Sequence, residues 1–176
     1  MTTTQGPTPG QTVGPFFGYA LPFPHGDELV PPGTPGAVRL HGRVLDGAGD
    51  PVPDAVLELW QTDADGHVVQ EPGSLHRDGW TFTGWGRAST DRSGRYSFTT
   101  LTPGAPFFAV TIFARGLLNR LLTRVYLPEH ADDPFLATVE ADRRATLVAA
   151  RDETGLVFDV HLQGDRETVF LSYPRH

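Results

Sequence analysis

The chain has 176 residues, a formal net charge of −7 and 39% hydrophobic residues, which suits one domain with a proper core and neither a disordered nor a collagen-like chain. It contains no cysteine, so disulfides, thiolate catalysis and zinc–thiolate sites are all excluded. It also contains no lysine, which excludes Schiff-base catalysis, and its acidic balance argues against a nucleic-acid surface.

No apolar run approaches the ~20 residues of a membrane span. The stretch Met1–Gly10 is polar and rich in Pro and Gly, with neither a basic start nor an apolar segment, which predicts a cytoplasmic protein. Residues 1–36 read as an irregular N-terminal arm. Within it, Val13-Gly14-Pro15-Phe16-Phe17-Gly18-Tyr19 is an aromatic island of a kind that free solvated tails do not carry. It packs either on its own domain or on a partner chain, and the arm is assigned to a partner because exposed aromatics mark interfaces.

From residue 37 to 176 the chain reads as one body of short strands. Val38–Leu45 alternates apolar and polar, Asp46–Asp50 supplies a turn, and Ala55–Trp60 follows as the second arm of a predicted hairpin. Gly84–Thr90, the turn Asp91-Arg92-Ser93-Gly94 and Arg95–Thr99 repeat the pattern. Phe107–Ala114 is nearly continuous in apolar residues, as for a strand buried on both faces. Leu117–Tyr126 reads as a further strand and Pro134–Asp142 as a short helix. Thr146–Ala149, Leu156–Leu162 and Thr168–Leu171 complete the sheets. The expected fold is all-β, a two-sheet sandwich with an irregular arm and one or two short helices.

Taken singly, no residue makes an enzyme. The seven histidines show neither His-x-His nor His-x-x-x-His spacing, and His41 and His161 fall within strands, where a structural role is the default. Asp63-Ala64-Asp65-Gly66 is a faint calcium-loop pattern, but His67 stands where an acid or Asn is required and Gly66 comes two positions early, so it reads as a turn. The serines lack a Gly-x-Ser-x-Gly elbow. Arg115 ends the most apolar strand. Its fork of donors suits an anion, and the plainer reading is an ion pair at a strand end.

The segments Gly42–Gln61, Gly86–Gly104 and Gln163–Phe170 resemble the core of the aromatic-ring intradiol dioxygenases, and the hairpins alone also resemble transthyretin-like sandwiches. Thr8–Phe16 and Phe113-Ala114-Arg115-Gly116 followed by Thr123-Arg124-Val125-Tyr126 resemble the iron-free α chain of heteromeric members of that family. Such enzymes open catechol rings with O2 on one non-haem ferric ion held by two Tyr and two His.

Position by position, the first ligand Tyr corresponds to Val68, and the second falls in a loop shortened to Gly104-Ala105-Pro106. The His-x-His pair corresponds to Phe107-Phe108-Ala109. The resemblance therefore implies a chain with no catalytic or metal residue of its own, and Val68, Phe107 and Ala109 as non-ligating equivalents. It further implies Fe(III) bound by a partner β chain, and several α–β units. Thr12, Gly14, Pro15 and Arg115 match α-chain positions that line the substrate cavity. A carrier sandwich without catalytic partner, and a metalloenzyme or hydrolase assembled from distant residues, stay open at this point.

Overall fold

The computed structural model describes residues 10–12, 14, 16–71, 75 and 77–173. Pro15, proposed to line a cavity, and His76 lie outside the described residues. One short helix, α1 (Phe17–Ala20), precedes nine strands: β1 (Ala37–Leu45), β2 (Val56–Trp60), β3 (Trp85–Ser89), β4 (Arg95–Leu101), β5 (Phe107–Phe113), β6 (Leu121–Tyr126), β7 (Ala150–Asp152), β8 (Gly155–Val157) and β9 (Val160–His161).

They form two sheets. One runs β4-β1-β8-β7, with β9 also paired to β1, and the other runs β3-β2-β5-β6. The fold class is the all-β sandwich expected from the strand pattern. Alternation along the strands builds the core between the layers. Leu40 and Val44 of β1 and Tyr96 and Phe98 of β4 meet Leu57 and Leu59 of β2 and Phe108, Val110 and Ile112 of β5. A polar tie joins the layers, where buried Thr100 donates to the Gln61 amide oxygen and that amide nitrogen donates to the Leu101 carbonyl.

Both predicted hairpins are corrected. β1 pairs with β4 and β2 with β3 and β5, so β1 and β2 lie in different sheets, as do β3 and β4. The turns themselves are real. The Val52 N–H donates to the Val44 carbonyl across the first, and Asp91 Oδ1 accepts from Ser93 and Arg95 in the second. Each turns the chain over to the opposite layer instead of returning it alongside its neighbour.

Other elements differ locally. β5 is not buried on both faces: Phe108, Val110 and Ile112 are buried, while Phe107, Ala109, Thr111 and Phe113 face outward and are partly covered. The predicted strand from Leu117 starts at Leu121, after a turn over Arg115 and Gly116, the glycine at φ 85°. The predicted helix 134–142 is a single 3-10 turn, Leu136–Thr138, and a second spans Arg144–Leu147 where a strand was expected. Val139 follows in extended conformation, and a buried Leu136 gives this segment one anchor, not a helical stripe. Thr168–Leu171 forms no strand, although the Leu171 N–H donates to the Leu122 carbonyl.

Candidate functional site

The outward face of the β3-β2-β5-β6 sheet carries the site residues at two ends of β5. At its C-terminal end the arm crosses the body. Phe17 packs on Phe113 with ring centroids 5.3 Å apart, and from there the arm runs along the sheet to Phe23, which stacks at 5.8 Å on Trp85, level with Ala109 through Trp60. Arg87 donates to the Leu21 carbonyl, and its backbone N–H to the Gly26 carbonyl. The arm then adds Leu29 and Val30 to the buried residues, with the Leu29 N–H donating to the Thr99 carbonyl. Gly18 needs its missing side chain, since a Cβ there would stand 2.8 Å from the Asp54 carbonyl oxygen.

Arg115 lies at the same end. Extending the antiparallel register past Val56 and Phe113, two residues back on one strand and two forward on the other, brings Asp54 to Arg115. Arg115 Nε stands 3.6 Å from Asp54 Oδ2, with the arginine side chain 52% exposed and the aspartate 11%. The ion pair read as the plainer alternative from sequence is thus present, and the guanidinium still opens to solvent. Asp54 is held at φ 68°, a left-handed conformation that Asp tolerates better than most residues.

The arm returns past this point. A Cβ on Gly10 would lie 3.2 Å from Leu118, three residues beyond Arg115. Between Gly10 and α1, the Gly14 N–H donates to Thr12 Oγ1 in a local turn, with Gly14 at φ 67°. Gly14 has no atom within 4 Å of the place its Cβ would occupy, so its bare backbone faces open space. Thr12 and Gly14 are therefore strung between two segments that both contact the Arg115 end. Phe16 and Tyr19 of the same arm are 77% and 80% exposed, and Leu118 is 63% exposed.

The other end of β5 carries the positions compared with metal ligands. Phe107 and Ala109 point outward, opposite Tyr126 and Arg124 on β6. The Arg124 guanidinium lies 4.2 Å from the centroid of the Phe107 ring and 4.6 Å from that of Phe135, and it donates to the Tyr126 hydroxyl. Val68 bridges Thr62 and is 72% exposed. An isopropyl, a phenyl and a methyl group offer no lone pair to a metal, and Arg124 puts a fixed positive charge beside Phe107 and Ala109. These residues do not fit a ferric ion.

His41 is placed as structural. His41 Nε2 lies 2.8 Å from Thr154 Oγ1 and 3.3 Å from Asp152 Oδ2, which clips the β7–β8 turn to β1. The Asp63 turn is likewise spoken for, since Asp63 Oδ1 accepts the N–H groups of Asp65 and His67. Sequence reasoning missed Asp54 as the partner of Arg115, and the packing of Gly18 on Asp54 and of Phe17 on Phe113. The β2–β5 register would have found Asp54, but that pairing joins strands far apart in the chain.

Comparison with known proteins gives the family. A family model described as Dioxygenase matches residues 13–130. The protocatechuate 3,4-dioxygenase alpha chain of Burkholderia cepacia is 40% identical, over 96% of this chain and 98% of its own length. The chain belongs to the protocatechuate 3,4-dioxygenase alpha-chain family of dioxygenases. The corresponding alpha chain of Pseudomonas putida is 36% identical over 94% of this chain and 96% of its own. The beta chain from Burkholderia cepacia is also 36% identical, but over 65% of this chain and 53% of its own length. Among solved structures, the dioxygenase domain of a carbohydrate-binding fusion protein from Streptomyces sp. SirexAA-E superposes with a TM-score of 0.57 at 27% identity. That match covers 90% of this chain and 99% of the domain. A catechol 1,2-dioxygenase from Acinetobacter sp. ADP1, at 21% identity and a TM-score of 0.54, shares the fold.

Proposed function

We propose that this chain is the alpha subunit of a protocatechuate 3,4-dioxygenase, which cleaves protocatechuate with O2 between its two hydroxylated carbons to give 3-carboxy-cis,cis-muconate. A beta chain binds the Fe(III) that activates the ring, and this chain supplies part of the wall around the substrate. The observation that carries the reading is the meeting of the aromatic arm with Arg115 at one end of the sheet, away from positions that cannot hold metal.

Each proposed wall residue has a physical task. Gly14 exposes bare backbone at a left-handed φ, so a flat ring can approach without meeting a side chain. Pro15 stiffens the next position. The Thr12 hydroxyl fixes the turn through the Gly14 N–H. The exposed edge of the Arg115 guanidinium pairs with the substrate carboxylate, a fork on an anion. The exposed Phe16, Tyr19 and Leu118 are covered by the beta chain, which makes residues 1–36 an arm of assembly as well as of the site.

Two experiments test this. The chain expressed alone should be colourless and inactive, and co-expression with the beta chain should give the red-brown colour of tyrosinate–iron charge transfer together with ring cleavage. Stoichiometric iron in the lone chain would overturn the assignment of the metal. In the assembled enzyme, Arg115→Ala should raise the KM for protocatechuate roughly tenfold or more, because a hydrogen bond to a charged group contributes about 1.5 kcal/mol or more. Unchanged kinetics would remove Arg115 from the site.

A further inference from the structure

Resting on that reading of Arg115, we propose that Asp54 is a positioning residue that aims the Arg115 guanidinium and ties it to the arm. Three observations meet at this one side chain. Asp54 stands opposite Arg115 in the extended β2–β5 register and contacts it on the Nε side, at 3.6 Å. The Nη edge of the fork is thereby left for a ligand. The Asp54 backbone and Cβ are the floor against which Gly18 of α1 is pressed, within 3.0 Å of where a Cβ would be. Asp54 Oδ1 is buried and has no hydrogen-bond partner among the described residues, so the Arg115 guanidinium is the group that compensates this carboxylate.

The asymmetry of that pair is what confers a function. A carboxylate out of water with one ionic partner strongly resists losing it, whereas a half-exposed arginine alone samples many rotamers. Asp54 therefore narrows the orientations of Arg115, at the cost of cancelling part of its positive charge. The arm is pressed on the same residue at Gly18, so a displacement of Asp54 moves Gly18 and Arg115 together. The prediction is of directed binding: the fork is selective for a carboxylate on a ring seated against Gly14, more than attractive to anions in general.

The test is a double-mutant cycle in the assembled enzyme, with Asp54→Asn, Arg115→Ala and both together, read as KM and kcat for protocatechuate. Asn keeps the shape and tolerates φ 68°. Asp54→Asn should raise KM at least about fivefold with kcat changed less than about twofold, and the double variant should be no worse than Arg115→Ala. Binding of a catechol without a carboxylate, measured as a competitive inhibitor, should be unmoved in all three. Arg115→Lys, which keeps the charge but not the fork, should behave like Asp54→Asn. If Arg115→Ala raises KM while Asp54→Asn leaves it unchanged, lowers it, or multiplies independently with Arg115→Ala, Asp54 does not position Arg115. If Arg115→Ala itself leaves KM unchanged, the reading of Arg115 fails and the positioning role falls with it. Should Asp54→Asn not assemble, Arg115→Lys decides: a KM equal to wild type overturns the need for an aimed fork.

Discussion

The carbonyl oxygen of Phe158 is the point on which one sheet is locked. The Tyr96 hydroxyl, fully buried, donates to it at 2.6 Å, and the Phe158 N–H donates to the His41 carbonyl. Burial pushes the Tyr96 phenol far above its ordinary value, so it remains a donor at any pH the fold survives. Gly42 passes directly beneath, and a Cβ there would overlap the same carbonyl. Tyr96→Phe leaves a buried acceptor without its donor, and should lower the unfolding free energy by about 1–3 kcal/mol in urea titrations. Gly42→Ala should be worse, because the obstacle is backbone and cannot swing aside. The Arg115–Asp54 pair works on the same scale, with geometry set by strand register and consequences decided by burial.

At the scale of elements, the chain repeatedly uses one device to turn between strands and within its loops. Asp63, Asp78, Asp91 and Asp152 each turn a carboxylate back onto N–H or hydroxyl groups within four residues. Those donors hold each carboxyl below the usual carboxylate range, and Asp78, bonded to the Thr81 hydroxyl and backbone, is drawn down to about 2. A folded value below the unfolded one means that the unfolded chain binds more protons on acidification. The stabilisation is fully present above the ordinary value, near 4, and is lost as pH falls through the folded values. Tm should therefore drop between about pH 4 and pH 2, and Asp91→Asn should flatten that slope as well as lower Tm at neutral pH.

These elements also show how far sequence reaches. Strands β1 and β4 were legible because one face of each is buried and alternation records that, whereas β2 and β5 were legible as apolar runs whose outward face the sequence did not reveal. Their pairing was not. A turn followed by a second apolar run is the same local signal whether the chain returns beside itself or crosses to the opposite layer. In this chain the Asp91–Gly94 turn crosses, with Gly94 pressed close to the Val44 carbonyl and Pro51. The candidate site was legible in part for a related reason. Arg115, Thr12 and Gly14 stand in motifs, whereas Asp54 is defined by its position opposite Arg115, and that needs the register. The 3-10 turn at Leu136–Thr138 was misread because Phe135 and Leu136 imitate the start of an apolar helical face.

At the scale of the whole molecule, an acidic chain carries a concentrated aromatic and aliphatic surface at one end. Phe16, Tyr19 and Leu118 are all largely exposed there, and they belong to segments that touch one another through Gly10 and Leu118. Phe17 and Phe23 face the body, so the outward pair is not an accident of a loose tail. Replacing Phe16 and Tyr19 with Ser should keep the lone chain monomeric to higher concentration in analytical ultracentrifugation, and should weaken its association with the beta chain. An unchanged affinity would place the contact elsewhere.

β5 puts Phe107 and Ala109 near one end and Phe113 at the other, six residues from Phe107, or about 20 Å along an extended strand. Arg115 stands beyond that far end, where Phe17 of the arm packs on Phe113. The Arg115 fork therefore does not reach the face around Phe107 and Ala109. What it offers can be used only on a neighbour. Ring cleavage should then titrate as a stoichiometric reagent does: added to a fixed amount of beta chain, this subunit should raise activity linearly to a sharp break at one equivalent, with nothing gained from the excess.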